Sequence, residues 1–480
     1  MRKPAYAVLI VLLMTVGLLY VEVGHASSLV SGTIYANTNW TTGNSPYMLT
    51  GNLVIASGVS LTIQPGVTVN LGSYQIQVNG TLDAQGSSSG EIVFSGVNSP
   101  SVGIIFLSAG SDSTISNANI DSVFISIQQG SITLSSDYFS GISAAPIITV
   151  NAGYLSISNS VLNIVSTDGI DVFGGSALIS GNMIVGQGHN YGIFTGGSAS
   201  TTITQNNITA CFTGIWAVGY SEIAQDNIVN NVNDGVCSVS STIEFNALAG
   251  NTCGVSGGGT VEYNTITNNF VGIWSPAPDG TIAYNNIYAN YNSTGGYTQN
   301  IHLTDFHNIT ATMNWWGLTG QTQIDLTIWD YKNDTVHLGT VIFEPALNSR
   351  ETEAPSVPAS LSIPTTPPTS IPSATATPSS SNSVSHVPSP TPYSSATPWP
   401  LQSYLPGTIT PGPIIGSANN SGLYWIIAIA AAFIVAAAII VVINVKFGRA
   451  KTPPPTKRLR HRRRSTKSNA QNPPSQAPQG

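Results

Sequence analysis

The sequence predicts an all-β fold, a parallel β-helix, carried by an exported chain with a membrane anchor. Three observations predict it. Short strand-like segments repeat about every 20 residues within residues 28–350, a hydrophobic run lies near each end of the chain, and the flanks of the second run differ sharply in charge. The net charge of the 480 residues is −7, yet no Lys or Arg occurs from residue 4 to residue 331. The basic residues near the C-terminus are interpreted as a topology signal and a lipid-headgroup contact rather than as a nucleic-acid site.

Residues 1–26 are predicted to be a signal peptide. Arg2 and Lys3 precede the apolar run Ala5–Val21, and Gly24-His25-Ala26 offers small residues for cleavage. An uncleaved anchor helix is the alternative. Both interpretations predict an exported chain.

Residues 422–445 are predicted to form a transmembrane helix. Leu423–Ile443 is a run without a charged residue, and at ~1.5 Å per residue it is long enough to span a hydrocarbon core of ~30 Å. Tyr424 and Trp425 suit the outer interface, and the basic tail 446–480 suits the cytoplasmic side and its lipid headgroups. The sequence therefore predicts a single-pass protein at the cell surface with its N-terminal domain outside.

Residues 351–421 are predicted to be an unfolded stalk. They contain prolines among Ser, Thr and Ala and show no apolar periodicity. Such a composition cannot build a core and favours extended polyproline II.

The folded part, residues 28–350, contains two recurring columns of residues. One column has a central Asn or Asp with aliphatic residues three before and two after it, and looser copies occur around Asp137 and Asn159. Its members are Asn182, Asn206, Asp226, Asn246, Asn264 and Asn285. The other column has Gly followed by Ile or Val, at Gly169, Gly192, Gly214, Gly235, Gly254 and Gly272. Two short strands per repeat predict stacked coils ~4.8 Å apart, in which buried amides satisfy one another.

Both ends of this region resemble a known group of proteins. The opening segment contains Gly58-Val59-Ser60-Leu61-Thr62-Ile63-Gln64-Pro65-Gly66, and the closing segment contains Met313-Asn314-Trp315-Trp316-Gly317. These segments resemble right-handed parallel β-helix surface proteins, a group that includes the pectate-lyase-like superfamily and the NosD-type repeats. The resemblance implies a right-handed β-helix, and it implies little about activity.

The catalytic residues of enzymes with this fold are mostly missing. Polysaccharide lyases of this group use a Lys or Arg base, and residues 4–331 contain neither. Thr167-Asp168-Gly169-Ile170-Asp171 resembles the first Asp motif of polygalacturonases, but the paired Asp and the Arg-Ile-Lys motif of that family are absent. We therefore interpret this segment as one copy of the glycine column.

Glu244 and Glu262 are the weak catalytic candidates. They occupy the same outward position in neighbouring coils, so their carboxylates are expected ~5 Å apart. That separation suits a retaining glycosidase or a shared cation such as calcium. A solvated acidic surface is the simpler interpretation. His302 and His307 offer imidazole ligands, but no Cys or Met cluster supports a copper site.

Aromatic residues on the outer surface suggest carbohydrate binding. Phe194, Trp216 and Trp274 each lie two residues after a column glycine, where side chains are expected to point outward and to stack on sugars. Packing beneath loops is the alternative. Phe245, Tyr263 and Tyr284 are expected to form a stack inside the solenoid.

The three cysteines and the glycosylation motifs complete the predictions. Cys211, Cys237 and Cys253 lie at different offsets from the column glycines, so we predict free thiols. Seven Asn-x-Ser/Thr motifs are candidate glycosylation sites. They are Asn39, Asn79, Asn207, Asn292, Asn308, Asn333 and Asn419.

The leading functional hypothesis is a non-catalytic, membrane-anchored surface β-helix. Its role would be adhesion, carbohydrate contact or envelope structure, and its partner an extracellular or envelope polysaccharide. The alternative is a membrane-tethered glycoside hydrolase. No cofactor is predicted, with calcium as the one cation that the acidic pair would suit.

Overall fold

The structure is a computed structural model that describes residues 27–108, 112–292 and 297–359. Over these residues the chain winds into a parallel β-solenoid with three faces, and each regular coil gives one strand to each face. The predicted signal peptide, the transmembrane helix, the basic tail and all but the first residues of the stalk lie outside the described residues. Among the residues described, no helix is long and apolar enough to span a membrane.

Face 1 is a sheet of twelve parallel strands, one from each of twelve coils. Its strands are Thr38–Trp40, Ser60–Ile63, Thr81–Gln85, Asp112–Ser116, Ser131–Ser135, Tyr154–Ser158, Ser176–Ser180, Ser200–Thr204, Ser221–Ala224, Thr242–Glu244, Thr260–Glu262 and Thr281–Ala283.

Faces 2 and 3 are joined near the N-terminus by two long strands, Ser28–Ile34 and Tyr47–Ile55, which take part in both faces. The other strands of face 2 are Thr68–Gly72, Ile92–Gly96, Ala118–Asp121, Tyr138–Ser140, Val161–Asn163, Met183–Val185, Asn207–Thr209, Asn227–Val229, Ala247–Ala249, Thr265–Thr267 and Asn286–Tyr288. The other strands of face 3 are Ile76–Val78, Gly103–Phe106, Phe124–Ile127, Ile148–Val150, Ile170–Val172, Tyr191–Thr195, Thr213–Ala217, Asp234–Ser238, Cys253–Gly257, Val271–Trp274, Ile301–His302 and Ile328–Trp329.

A few short elements lie outside the three faces. They are a 3₁₀ turn Thr42–Asn44, an α-helix Gln321–Asp325, the antiparallel strands Tyr291–Asn292 and Tyr297–Thr298, and the parallel strands Ile309–Thr310 and Val341–Ile342. At the C-terminal end Trp316 and Phe343 pack edge to face, with ring centroids 6.2 Å apart, and both belong to the hydrophobic core.

The core consists of aliphatic columns, because inward residues of adjacent coils pair in register. On face 1, Ile203 pairs with Ile179 on one side and with Ile223 on the other, and all three are fully buried. Burying a side chain of this size contributes ~1.5–3 kcal/mol. The predicted aliphatic stacks and the all-β parallel solenoid are confirmed, and the architecture is that expected of a right-handed parallel β-helix.

Buried polar side chains connect the coils at the corner between faces 1 and 2. We call this column the first amide ladder, and its members are Asp137, Ser160, Asn182, Asn206, Asp226, Asn246, Asn264, Asn285 and Asn314. In a typical rung, the backbone N and Nδ2 of Asn246 donate to Oδ1 of Asn264 at 2.9 and 3.1 Å, and Nδ2 also donates to the carbonyl of Ile223 at 2.9 Å. The predicted mutual satisfaction of stacked amides is therefore confirmed.

The residue before each rung has a left-handed backbone, which corrects two predictions. Phe245, Tyr263 and Tyr284 have φ of 55–57°, so the alternation of side chains breaks there and their rings lie half-buried on the outside of the corner rather than in the core. The rings do stack, with centroids 5.0 and 5.2 Å apart. Asn159 (φ 50°) takes this corner position as well, and Ser160 supplies the rung of its coil.

A second amide ladder, which the sequence analysis missed, lies at the corner between faces 2 and 3. Its members are Asn231, Asn251, Asn269, Asn290 and Asn300. Cys211 occupies the preceding rung, and its backbone N donates to Oδ1 of Asn231 at 3.0 Å. The nine-residue first ladder and the five-residue second ladder connect the C-terminal coils at two corners, in addition to the backbone hydrogen bonds of the three faces.

The column glycines allow neighbouring coils to approach closely. A Cβ on Gly235 would lie 2.7 Å from the carbonyl oxygen of Gly254 and 3.0 Å from Nδ2 of Asn251. A Cβ on Gly254 would meet the carbonyl of Gly272 at 2.7 Å. The glycine column is therefore a packing requirement of the solenoid, and this explains it without any catalytic role.

Gly235→Ala is expected to lower the free energy of unfolding by about 1–3 kcal/mol, because the methyl group has no space between two backbones. Gly219→Ala is the matched control, since a Cβ there would meet nothing closer than 3.4 Å. Thermal unfolding of the purified full chain measures both. Equal stability of the two variants would contradict the close-approach explanation.

Asp226 is a carboxyl group within a ladder of amides. Its Oδ1 accepts from the backbone N and Nδ2 of Asn206 at 2.6 and 3.0 Å, while its buried Oδ2 has no hydrogen-bond partner. In the neighbouring rungs Asn206 and Asn246, a side-chain amide nitrogen takes the place of this Oδ2 and donates to Oδ1 of the following rung. Burial raises the pKa of Asp226 to about 7, so the neutral acid is the form that suits the rung.

Asp226→Asn is expected to stabilise the protein, most strongly above pH 7. The folded pKa of Asp226 lies above its unfolded value, so the wild-type rung is stabilising at low pH. That contribution is lost as the pH rises from ~4 through about 7, at up to ~1.4 kcal/mol per pH unit. The amide donates at every pH. Melting temperatures from pH 4 to pH 8 test this, with Asp279→Asn in an exposed loop as the control. A variant less stable than wild type at pH 8 would disprove the neutral-acid rung.

Candidate ligand-binding face

A single outward column on face 3 contains all three of the aromatic residues that the sequence singled out. We call it the outward column, and its members pair in register from coil to coil. They are Asp171, Phe194, Trp216, Cys237, Ser256, Trp274, His302 and Trp329. Each follows an inward aliphatic residue and so points away from the core. The outward register of Phe194, Trp216 and Trp274 is as predicted.

The N-terminal part of this column is an aromatic cluster. The Trp216 ring lies edge to face against Phe194 and Tyr191, with centroids 5.3 and 4.8 Å apart. Phe173 contacts Phe194 at 5.5 Å from the neighbouring turn. Trp216 is therefore half-buried. Its packing against other rings partly agrees with the alternative to sugar stacking, in which these aromatic residues pack beneath loops.

The C-terminal part of the column is a parallel stack of rings. The Trp274 and His302 rings have centroids 4.2 Å apart and planes 13° apart, and His302 and Trp329 lie 5.7 Å apart at 3°. Burial lowers the pKa of His302 to about 4, so its imidazole is neutral at physiological pH. The side-chain amide of Gln299 lies 2.5 Å from its Nδ1. The arrangement makes His302 part of the aromatic stack.

Two small residues separate the aromatic cluster from the stack. Cys237 and Ser256 are both half-buried, and they place Trp216 and Trp274 three coils apart, or ~14 Å. We call the region bounded by Trp216, Cys237, Ser256 and Trp274 the aromatic slot. Trp274 is 37% exposed, so the slot opens to solvent.

The cysteines are free thiols, as predicted. Cys237 pairs with Ser256, and Cys253 pairs with Asp234 three residues away along the strand, so the two sulfurs belong to different columns. Burial raises the pKa of Cys237 to about 11 and that of Cys211 to about 12. Neither thiol is a ready nucleophile at neutral pH.

Exposed apolar side chains surround Trp216 at both turns that flank face 3. They are Phe212, Val218, Tyr220, Val232 and Val239, at 39–64% exposure. These side chains add apolar surface on both sides of the outward column.

Two carboxyl groups lie close to the outward column. Asp171 is buried beside Phe194, its Oδ1 has no hydrogen-bond partner, and burial followed by the charge of Asp168 raises its pKa to about 7. Asp234 accepts from Nδ2 of Asn233 at 2.9 Å, and burial raises its pKa to about 6. Both of these groups are carboxylic acids with raised pKa values.

Glu244 and Glu262 pair directly in adjacent strands of face 1. Burial raises the pKa of each, and a neighbouring carboxylate adds to this: Glu222 for Glu244, and Glu244 for Glu262. Across the residues that the structure describes, no group of three His, Cys, Asp or Glu side chains is placed to hold a metal ion.

The glycosylation motifs occupy several surfaces of the solenoid. Asn39, Asn308 and Asn333 are exposed, while Asn79 and Asn207 are half-buried. Oδ1 of Asn207 accepts from the amide of Asn227 at 2.8 Å. The side chain of Asn292 and the whole of Asn419 lie outside the described part.

Sequence reasoning missed three aromatic members of this face. His302 and Trp329 follow Ile301 and Ile328, as the other members follow their aliphatic residues, but their coils lack the column glycine and are lengthened by insertions. Tyr191 precedes a column glycine, a position to which the sequence analysis assigned no role.

No protein-family model, no curated protein and no solved structure matches this chain.

Proposed function

We propose that the solenoid is a non-catalytic surface module that binds polysaccharide through the outward column of face 3. The observation that carries the proposal is the aromatic slot, in which two exposed or half-exposed tryptophans face a gap of small residues. Indole rings in such a setting stack on the apolar faces of sugar rings and leave the hydroxyl groups in water.

The sequence supplies the cellular setting of this proposal. A signal peptide at 1–26, a stalk at 351–421 and a membrane helix at 422–445 would hold the solenoid outside the cell. A stalk of ~70 residues reaches up to ~200 Å at ~3.1 Å per residue in polyproline II. We propose that the protein serves adhesion or envelope contact from that position.

Trp274→Ala is expected to weaken polysaccharide binding by about tenfold or more, because the variant loses the stacking of the indole on a sugar ring. A tenfold change corresponds to ~1.4 kcal/mol of binding free energy. Its melting temperature should fall less than that of Trp216→Ala, because the ring is 37% exposed and loses one ring contact, the stack on His302, worth ~0.5–1.5 kcal/mol. Tyr263→Ala is the matched control, since both faces of that ring are covered by Phe245 and Tyr284. Affinity electrophoresis against soluble polysaccharides measures binding. A Trp274→Ala variant that binds as wild type would reject the slot.

Trp216→Ala should affect both stability and binding. Its contacts with Phe194 and Tyr191 are each worth ~0.5–1.5 kcal/mol, so the melting temperature should fall. Binding should be measured well below that temperature.

A glycoside hydrolase is the second candidate, because Glu244 and Glu262 pair in adjacent coils and each has a raised pKa. Under the binding proposal, the wild-type protein releases no reducing sugar from the polysaccharides that it binds. Release that disappears in both Glu244→Gln and Glu262→Gln would support the hydrolase instead. Added calcium should leave binding unchanged if the pair is only a solvated acidic surface.

A further inference from the structure

The free face of the Trp274 ring points along the solenoid axis. Trp274, His302 and Trp329 occupy one position in successive coils, and their rings are nearly parallel with centroids 4.2 and 5.7 Å apart. Parallel rings at adjacent levels of a column can stack only if their planes lie roughly in the planes of the coils. One face of Trp274 is therefore covered by His302, and the opposite face is directed toward the level of Ser256.

The two levels beyond that face carry only small side chains. Ser256 and Cys237 follow in register, and Trp216 stands at the third level. Three coil spacings amount to ~14 Å, which leaves room for one or two flat rings between the tryptophans. After Ser256 the chain continues with Gly257 and Gly258, so no side chain narrows the slot on that side at the level of Ser256.

The ionisable groups near the slot favour an uncharged ligand over an anionic one. Asp234 lies on the same strand as Cys237, and Asp171 lies beyond Phe194 in the same column. No Lys or Arg occurs from residue 4 to residue 331. A uronate or a sulfated sugar in the slot would lie near carboxyl groups, and residues 4–331 offer no Lys or Arg to pair with its negative charge.

We infer that the aromatic slot holds one or two neutral or amino sugar rings, inserted parallel to the coils and stacked on the free face of Trp274. This inference rests on the proposed function and narrows it. A polysaccharide lying along the solenoid axis would need aromatic faces that point away from the surface, and the Trp274 stack faces along the axis instead. The binding footprint is therefore short, and chain length beyond two sugars adds little affinity.

The experiment compares short and long ligands on the purified full chain. The probes are hexagalacturonate, the methyl glycosides of glucose, galactose, mannose, fucose and N-acetylglucosamine, and the matching oligosaccharides. Calorimetry and ligand-observed NMR measure the binding of each probe. For whichever sugar binds, the dissociation constant of the methyl glycoside is expected to lie within about tenfold of that of the matching oligosaccharide. Hexagalacturonate should not bind.

Two variants that fill the slot complete the test. Ser256→Trp and Cys237→Phe add bulk at outward, half-buried positions, and each should weaken binding by about tenfold or more without lowering the melting temperature. Thr202→Trp adds the same bulk to the outer side of face 1 and should bind as wild type.

The outcomes separate the inference from the proposed function. An oligosaccharide that binds more than about tenfold tighter than its methyl glycoside would indicate an extended site and overturn the inference alone. Wild-type affinity in both filled variants, or binding of hexagalacturonate, would do the same. No binding of any probe or polysaccharide would reject both.

Discussion

Hydrogen bonding from each coil to the next is the constraint on which the rest of this structure depends. Backbone bonds on three faces and side-chain amides at two corners repeat at one spacing, so every residue is held at a fixed level of a column. Because the register is fixed in this way, inward aliphatic residues of successive coils stack on one another, and so do outward aromatic residues. A rung must both accept and donate, and for this reason a carboxyl group such as Asp226 fits only when it carries a proton.

Much of the solenoid could be predicted because its columns are chemically simple. The Asn column marks a buried amide that needs partners above and below, and the glycine column marks coils that approach within 2.4–2.7 Å of a would-be Cβ. Few other residue types meet either requirement, so both columns can be recognised from a single sequence. The outward register of Phe194, Trp216 and Trp274 followed from the aliphatic residues beside them.

The remaining features depend on conformations that residue types do not reveal. Gln, Phe, Tyr, Asn and Gly all occupy the left-handed corner before a rung, so nothing in the sequence showed that Phe245, Tyr263 and Tyr284 turn outward. The second ladder escaped notice because Cys211 replaces its first amide and the rungs lie among many other asparagines. Ring orientation, which makes Trp274 part of a stack and Trp216 part of a cluster, depends on neighbours that only the folded coils bring together.

The corner between faces 1 and 2 has consequences for how such a protein changes over evolutionary time. From Ser135 to Asn286 this corner always consists of two residues, whereas the other two turns vary from two residues to twelve. The longest of these turns, residues 289–300, carries two rungs of the second ladder, Asn290 and Asn300, which remain hydrogen-bonded to each other at 3.0 Å, and it leads directly to His302. The constant length of one corner thus leaves the other two turns free to vary in length, and a longer loop beside face 3 changes the surface there while the scaffold stays the same.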